Sequence, residues 1–204
     1  RSVRLSLELP DWISRVDEDT IDEVVRRSET QMASAHQRLI DAGKRDPDLQ
    51  GMGTTVTAVR NLGRLLQVVH VGDSRAYLLR GEQLSRLTRD HSLVQMLVDR
   101  GRMTREEAEQ STSRHVLVNA VGGVNDSVRV DIDHVGLANG DRLLLCSDGL
   151  NDMVGDEAIG TELLSAATAE AACRALLRRA LAAGGRDNIT VVAAFYSWEG
   201  SARG

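Results

Sequence analysis

Three aspartates occupy one kind of position: Asp73 in Val71-Gly72-Asp73-Ser74, Asp148 in Cys146-Ser147-Asp148-Gly149, and Asp187 in Gly185-Arg186-Asp187-Asn188. Each lies at a turn flanked by glycine or small residues at the end of a strongly apolar strand pattern. Strand ends of a layered sheet converge on one rim, so such side chains can share a site. At an effective dielectric of about 20, two carboxylates ~4 Å apart repel by ~4 kcal/mol, a large part of a domain's stability. A cluster of them therefore implies a cation or raised pKa values. Oxygen donors at turns, with no Cys or His at metal-ligand spacing, favour a hard ion such as Mg²⁺ or Mn²⁺ over zinc. Aspartate beside glycine or serine is also the commonest turn chemistry, so residue types and spacing reach a candidate acidic metal site and stop there. His36 and His70 are expected to be packed or partly exposed rather than catalytic, and no serine nucleophile with a positioned histidine and acid can be assigned. Asp126, Asp131 and Asp133 resemble a solvated strand face, and Arg174, Arg178 and Arg179 sit at helical spacing facing solvent.

The elements that must position these residues follow from periodicity. Residues 2–9 alternate polar and apolar as a strand does. Thr20 and Glu23 have capping-box spacing, and Ile21, Val24, Val25, Ser28, Met32, Ala35, Leu39 and Ile40 recur at helical intervals until Gly43. Two β-rich runs, 54–60 and 64–71, flank an Asn61-Leu62-Gly63 turn, and 75–79 with 83–88 extend them into an antiparallel meander of at least four strands. Residues 89–123 are polar, carry short helical patterns and a second capping box at Thr104 and Glu107, and look inserted. Strand signals return at 127–135 and 143–146. Asp156 and Thr168 can each cap a helix, Gly184-Gly185 ends the second, and 189–195 forms a last strand. Antiparallel strands with helices in segregated blocks predict an α+β layered architecture rather than a βαβ parallel fold.

A chain of 204 residues with 42% apolar content can bury one sizeable core, so one domain is the default. No apolar run approaches the ~18 residues needed to span a bilayer, and no charged-then-apolar leader opens the chain. Cys146 and Cys173 show neither metal-ligand spacing nor a disulfide framework, which predicts a reducing, cytoplasmic compartment. A formal charge of −5 and 2% aromatic residues leave neither a basic footprint nor stacking platforms for nucleic acid. A monomer is expected. The chain begins at Arg1 rather than methionine, as expected of a processed chain or a piece of a longer one.

Five segments in order resemble the metal-dependent protein serine/threonine phosphatases of type 2C, the PPM family, in their bacterial form. They are Gly51-Met52-Gly53-Thr54-Thr55, residues 69–77 (Val-His-Val-Gly-Asp-Ser-Arg-Ala-Tyr), Leu87-Thr88-Arg89-Asp90-His91-Ser92, residues 144–150 (Leu-Leu-Cys-Ser-Asp-Gly-Leu) and residues 185–192 (Gly-Arg-Asp-Asn-Ile-Thr-Val-Val). Their order and spacing agree with the family over about residues 20–196. The resemblance implies a four-layer α-β-β-α sandwich, two antiparallel sheets flanked by helices, within a catalytic domain over 1–197, with a tail at 198–204. It places a flap insertion at about 89–114 beside the active site. By the same resemblance Asp148 and Asp187 ligate a catalytic pair of Mn²⁺ or Mg²⁺ ions, and Asp73 ligates a third, weaker ion. Gly149 and Asn188 are supporting residues, Asn188 for the Asp187 loop. The implied reaction is in-line attack on phosphoserine or phosphothreonine phosphorus by a metal-bridging water, without a phosphoenzyme. Partners would be phosphoproteins, serine/threonine kinases or their substrates.

One departure stands out. Family members carry, before the helix that starts here near residue 21, an Asn-Glu-Asp and an Asp-Gly-x-Gly-Gly segment that supply further metal ligands and a phosphate-binding arginine. In residues 1–20, Asp11, Asp17 and Asp19 lack the glycines and the apolar strand of that motif. The expectation is that upstream residues complete the site. The alternative is a pseudophosphatase that keeps the sandwich as a protein-binding module; a partner-switch phosphatase is disfavoured by the length of the flap.

Overall fold

The structure, a computed structural model, describes residues 18–198. Helix α1 spans Glu18–Arg45 and a 3-10 turn follows at Pro47–Leu49. Then come β1 (Gly53–Thr54), β2 (Val56–Leu62), β3 (Leu65–Val71), β4 (Arg75–Arg80) and β5 (Gln83–Arg86). Helices α2 (Leu93–Asp99) and α3 (Arg105–Gln110) precede β6 (Val121–Gly122), β7 (Asp131–Gly136) and β8 (Arg142–Cys146). The chain finishes with α4 (Asp148–Asn151), α5 (Asp156–Ser165), α6 (Ala169–Ala182) and β9 (Val191–Phe195). Among the described residues no helix is long and apolar enough to cross a membrane.

Two antiparallel sheets carry the fold, one ordered β2-β3-β7 and the other β5-β4-β8-β9, with a short β1-β6 pair beside them. On the four-stranded sheet the strand alternation sends Tyr77, Leu79, Leu144 and Cys146 to one face, where α5 and α6 cover them. Ala172, Leu176 and Ala180 recur every fourth residue, so a single stripe of α6 is buried in that layer. Ala76, Leu78 and Leu143 point to the opposite face and are buried too. On the three-stranded sheet, Gln67 of β3 meets Ser28 of α1 at 3.4 Å, and on the short β1-β6 pair the Gly122 amide donates to His36 of α1 at 3.0 Å. Helices outside, sheets inside: the expected α-β-β-α sandwich is what forms.

Local expectations hold in most places. The β2–β3 hairpin forms, though its turn is Gly63-Arg64 rather than Asn61-Leu62-Gly63, since Asn61 and Leu62 pair with Leu66 and Leu65. Thr104 and Glu107 make a full capping box, and Thr168 caps α6 by accepting from the Ala171 amide. Others are corrected. Helix α1 begins at Glu18, so Thr20 is not its cap, and it runs through Gly43 to Arg45. Gly155 rather than Asp156 caps α5, with Asp156 in the first turn, where a carboxylate suits the helix dipole. The strands expected from 127 and 189 start at Asp131 and Val191. The strand expected at 2–9 lies outside the described residues.

The largest correction concerns the meander. β2–β3 and β4–β5 are both hairpins, but β3 and β4 do not pair; the chain crosses from one sheet to the other between them. Gly72 makes the crossing, with φ of 112° and Thr55 so near that a Cβ would sit 2.3 Å from its methyl carbon. Both strands are buried on both faces, which a single one-sided meander cannot provide. The crossing leaves Asp73 at the rim between the two sheets.

Candidate metal centre

Strand register decides where the three aspartates lie. Arg75 pairs with Cys146 and Cys146 with Val191, so the start of β4, the end of β8 and the start of β9 share one rim. Asp73, Asp148 and Asp187 all leave from that rim. The loops holding the last two are stitched together: the Ser147 amide donates to the Thr190 carbonyl at 3.1 Å, and the Thr190 amide donates to Ser147 Oγ at 3.0 Å. Ser147 Oγ in turn donates to the Asn188 carbonyl at 3.1 Å. Gly149 allows this approach, since a Cβ there would stand 2.4 Å from the Asn188 carbonyl oxygen. Each carboxylate is oriented by its neighbour's backbone, Asp148 by the Gly149 amide at 2.9 Å and Asp187 by the Asn188 amide at 2.6 Å. Asn188 thus acts on this loop through its backbone.

Burial pushes the Asp73 carboxyl up to about 6, and the nearby negative charges of Asp148 and then Asp90 add to the effect. Asp148 is also raised, first by burial; the Gly149 amide opposes this, while Asp187 and Asp152 reinforce it. Mutual repulsion of clustered carboxylates is therefore present, as the aspartate pattern leads one to expect. Yet among the described residues no group of three or more His, Cys, Asp or Glu side chains closes into a set that could hold an ion. The rim collects the aspartates without completing a cage. Its oxygen-only donors suit Mg²⁺ or Mn²⁺, and Mg²⁺ commonly takes one or two carboxylates, keeping waters elsewhere. Asp148 with Asp187, and Asp73 beside them, are the carboxylates that this rim could offer to such an ion.

Asp73 and Asp148 line a cleft of about 920 Å³ that runs under α2 and α3. Several of its residues escaped the sequence reasoning. Asp152, one helical turn beyond Asp148, lies 3.8 Å from Arg114 Nε and 3.6 Å from His115 Nε2. Arg186 also lines the cleft. The i, i+4 spacing of Asp148 and Asp152 was the available signal. Beneath them Arg75 grips Asp90 at 2.7 Å and donates to Tyr77 Oη at 3.2 Å, while Tyr77 donates to Asp156 at 2.9 Å. Asp131 corrects an expectation: it is not on a purely solvated face but meets His91 Nε2 at 2.9 Å, whereas Asp126 and Asp133 are exposed. His36 and His70 are packed, and Arg174, Arg178 and Arg179 are exposed.

The family model for protein phosphatase 2C matches residues 5–186. The chain belongs to that family. Among curated members it is 48% identical over 149 residues to the serine/threonine protein phosphatase PstP of Mycobacterium tuberculosis, a match covering 73% of this chain and 28% of PstP. It is 35% identical over 185 residues to the serine/threonine phosphatase stp of Listeria monocytogenes, covering 91% of this chain and 67% of that protein. This protein phosphatase 2C chain thus spans under a third of the length of PstP. Its fold matches the Streptococcus agalactiae serine/threonine phosphatase with a TM-score of 0.82 at 32% identity, over 90% of this chain and 75% of that one. It matches the PstP catalytic domain in complex with 2 manganese ions with a TM-score of 0.69 at 43% identity, over 78% of this chain and 66% of that one.

Proposed function

We propose that this chain hydrolyses phosphoserine and phosphothreonine in proteins in a metal-dependent reaction, opposing serine/threonine kinases. The observation that carries the proposal is the stitched pair of loops, Ser147–Gly149 and Asp187–Thr190, which hold two carboxylates at one sheet rim beside an open polar cleft. Asp148 and Asp187 would hold the catalytic ions and Asp73 a third. Divalent ions bound there supply a lowered water pKa and neutralise charge on the attacking and leaving oxygens. The protein's part is to orient its carboxylates through the Gly149 and Asn188 amides. Arg114 and Arg186 place positive charge in the same cleft, with the His115 ring beside them, where a phosphoryl dianion would enter. The breadth of the cleft suits a phosphorylated protein segment better than a small ester alone.

A second function has its own support: the absence of a closed donor set among the described residues fits a catalytically incomplete module that binds phosphoproteins or kinases. Hydrolysis of p-nitrophenyl phosphate and of a phosphothreonine peptide, with millimolar Mn²⁺ and with EDTA, separates the two. EDTA-sensitive turnover establishes the phosphatase. Absence of turnover, together with retained affinity for the phosphopeptide, establishes the binding module.

A further inference from the structure

We propose that His91 is a positioning residue, which locks the Gly72–Asp73 turn through Nδ1 and ties that turn to the base of the inserted helices. Gly72 is held at both of its backbone groups by this one residue. Its carbonyl accepts from the His91 amide at 2.7 Å, and its amide donates to His91 Nδ1 at 3.2 Å. The ring is buried and is itself fixed from a third direction by Asn119, whose Nδ2 donates to Nδ1 at 2.6 Å.

The orientation of Asn119 is decided by the Arg129 backbone. Its Oδ1 accepts from the Arg129 amide at 3.0 Å and its Nδ2 donates to the Arg129 carbonyl at 2.8 Å. A flipped amide would lose both bonds. Nδ1 therefore faces two N–H donors and carries no proton, which puts the ring hydrogen on Nε2, where it is donated to Asp131 at 2.9 Å. The same residue anchors the inserted segment: the Val118 amide donates to the His91 carbonyl at 2.8 Å, and the neighbouring Leu93 amide donates to the Val116 carbonyl at 2.8 Å. His91 thus joins the wall of the cleft to the turn that carries Asp73. Its consequence for an ion at Asp73 rests on the proposed function; the lock itself does not.

The test compares two substitutions. His91→Asn keeps an acceptor close to the position of Nδ1, and His91→Gln moves its amide towards the position of Nε2. Amide hydrogen exchange at Gly72 and Asp73, measured on the metal-free chain, is expected to accelerate about tenfold in His91→Gln, the loss of roughly one hydrogen bond, while His91→Asn stays within about threefold of wild type. Mn²⁺ titration followed by electron paramagnetic resonance is expected to show the weakest ion loosened about tenfold in His91→Gln alone. Equal exchange in all three proteins, or equal acceleration in both variants, overturns the lock, since the first means no bond matters and the second that ring bulk does. If His91→Gln does not fold, Asn119→Ala must accelerate the same two amides, and unchanged exchange there overturns the proposal. A wild-type chain that binds no Mn²⁺ overturns the metal assignment instead, and leaves the exchange contrast to decide the lock.

Discussion

Replacing Gly149 by alanine sets two known effects against each other. Within α4 alanine is the better helix former by about 1 kcal/mol. The new Cβ, however, would stand 2.4 Å from the Asn188 carbonyl oxygen and 3.1 Å from its carbonyl carbon, both backbone atoms that cannot swing aside. Relief requires the two loops to part by about 1 Å, and overpacking of this kind costs about 1–3 kcal/mol. The clash should win, leaving Gly149→Ala less stable by up to about 2 kcal/mol and lowering Tm by up to about 8 °C for a chain of this size. Moving the Asp187 loop by ~1 Å should also cost turnover up to about 10²-fold, because catalytic geometry is that sensitive. Thermal unfolding of the metal-free chain reads the first effect, and phosphopeptide hydrolysis at saturating Mn²⁺ reads the second. An alanine variant that melts at or above the wild-type temperature and keeps its turnover would show that the two loops are not in contact as described.

Asp148→Ala or Asp187→Ala should abolish Mn²⁺-dependent hydrolysis while circular dichroism stays native, and full activity in both would remove these residues from the site. Asp73 has a folded-state pKa of about 6, above its usual value, so the folded chain holds the Asp73 proton more tightly than the unfolded one. The stability this gives is complete below about pH 4 and is lost as pH rises towards 6. In EDTA, Asp73→Asn should therefore raise Tm relative to wild type at pH 7 and lose that advantage at pH 4; a pH-independent difference would contradict the burial of that carboxyl. Tyr77→Phe removes the hydroxyl shared by Arg75 and Asp156 in a fully buried side chain, and urea titration should show a loss of about 1–2 kcal/mol.

The sequence by itself determined the layer type, most helices and strands, the two caps at Thr104 and Thr168, and the three aspartate turns, because each of these is a local matter of periodicity or turn chemistry. It also carried the family, since the motifs that mark it are contiguous. What it could not supply was pairing across distance. Nothing local to Gly72 says that β3 and β4 belong to different sheets; that follows from both strands being buried on both faces, a property of what packs against them. Asp131 looked like one carboxylate of a wet strand face, and only the fold brings His91 to it across forty residues of chain. The same holds for Arg114 and His115 beside Asp152, and for the Gly149 contact with Asn188. Side-chain type reports what a residue can do, whereas the strand register and the loop crossings decide which other residue it does it with.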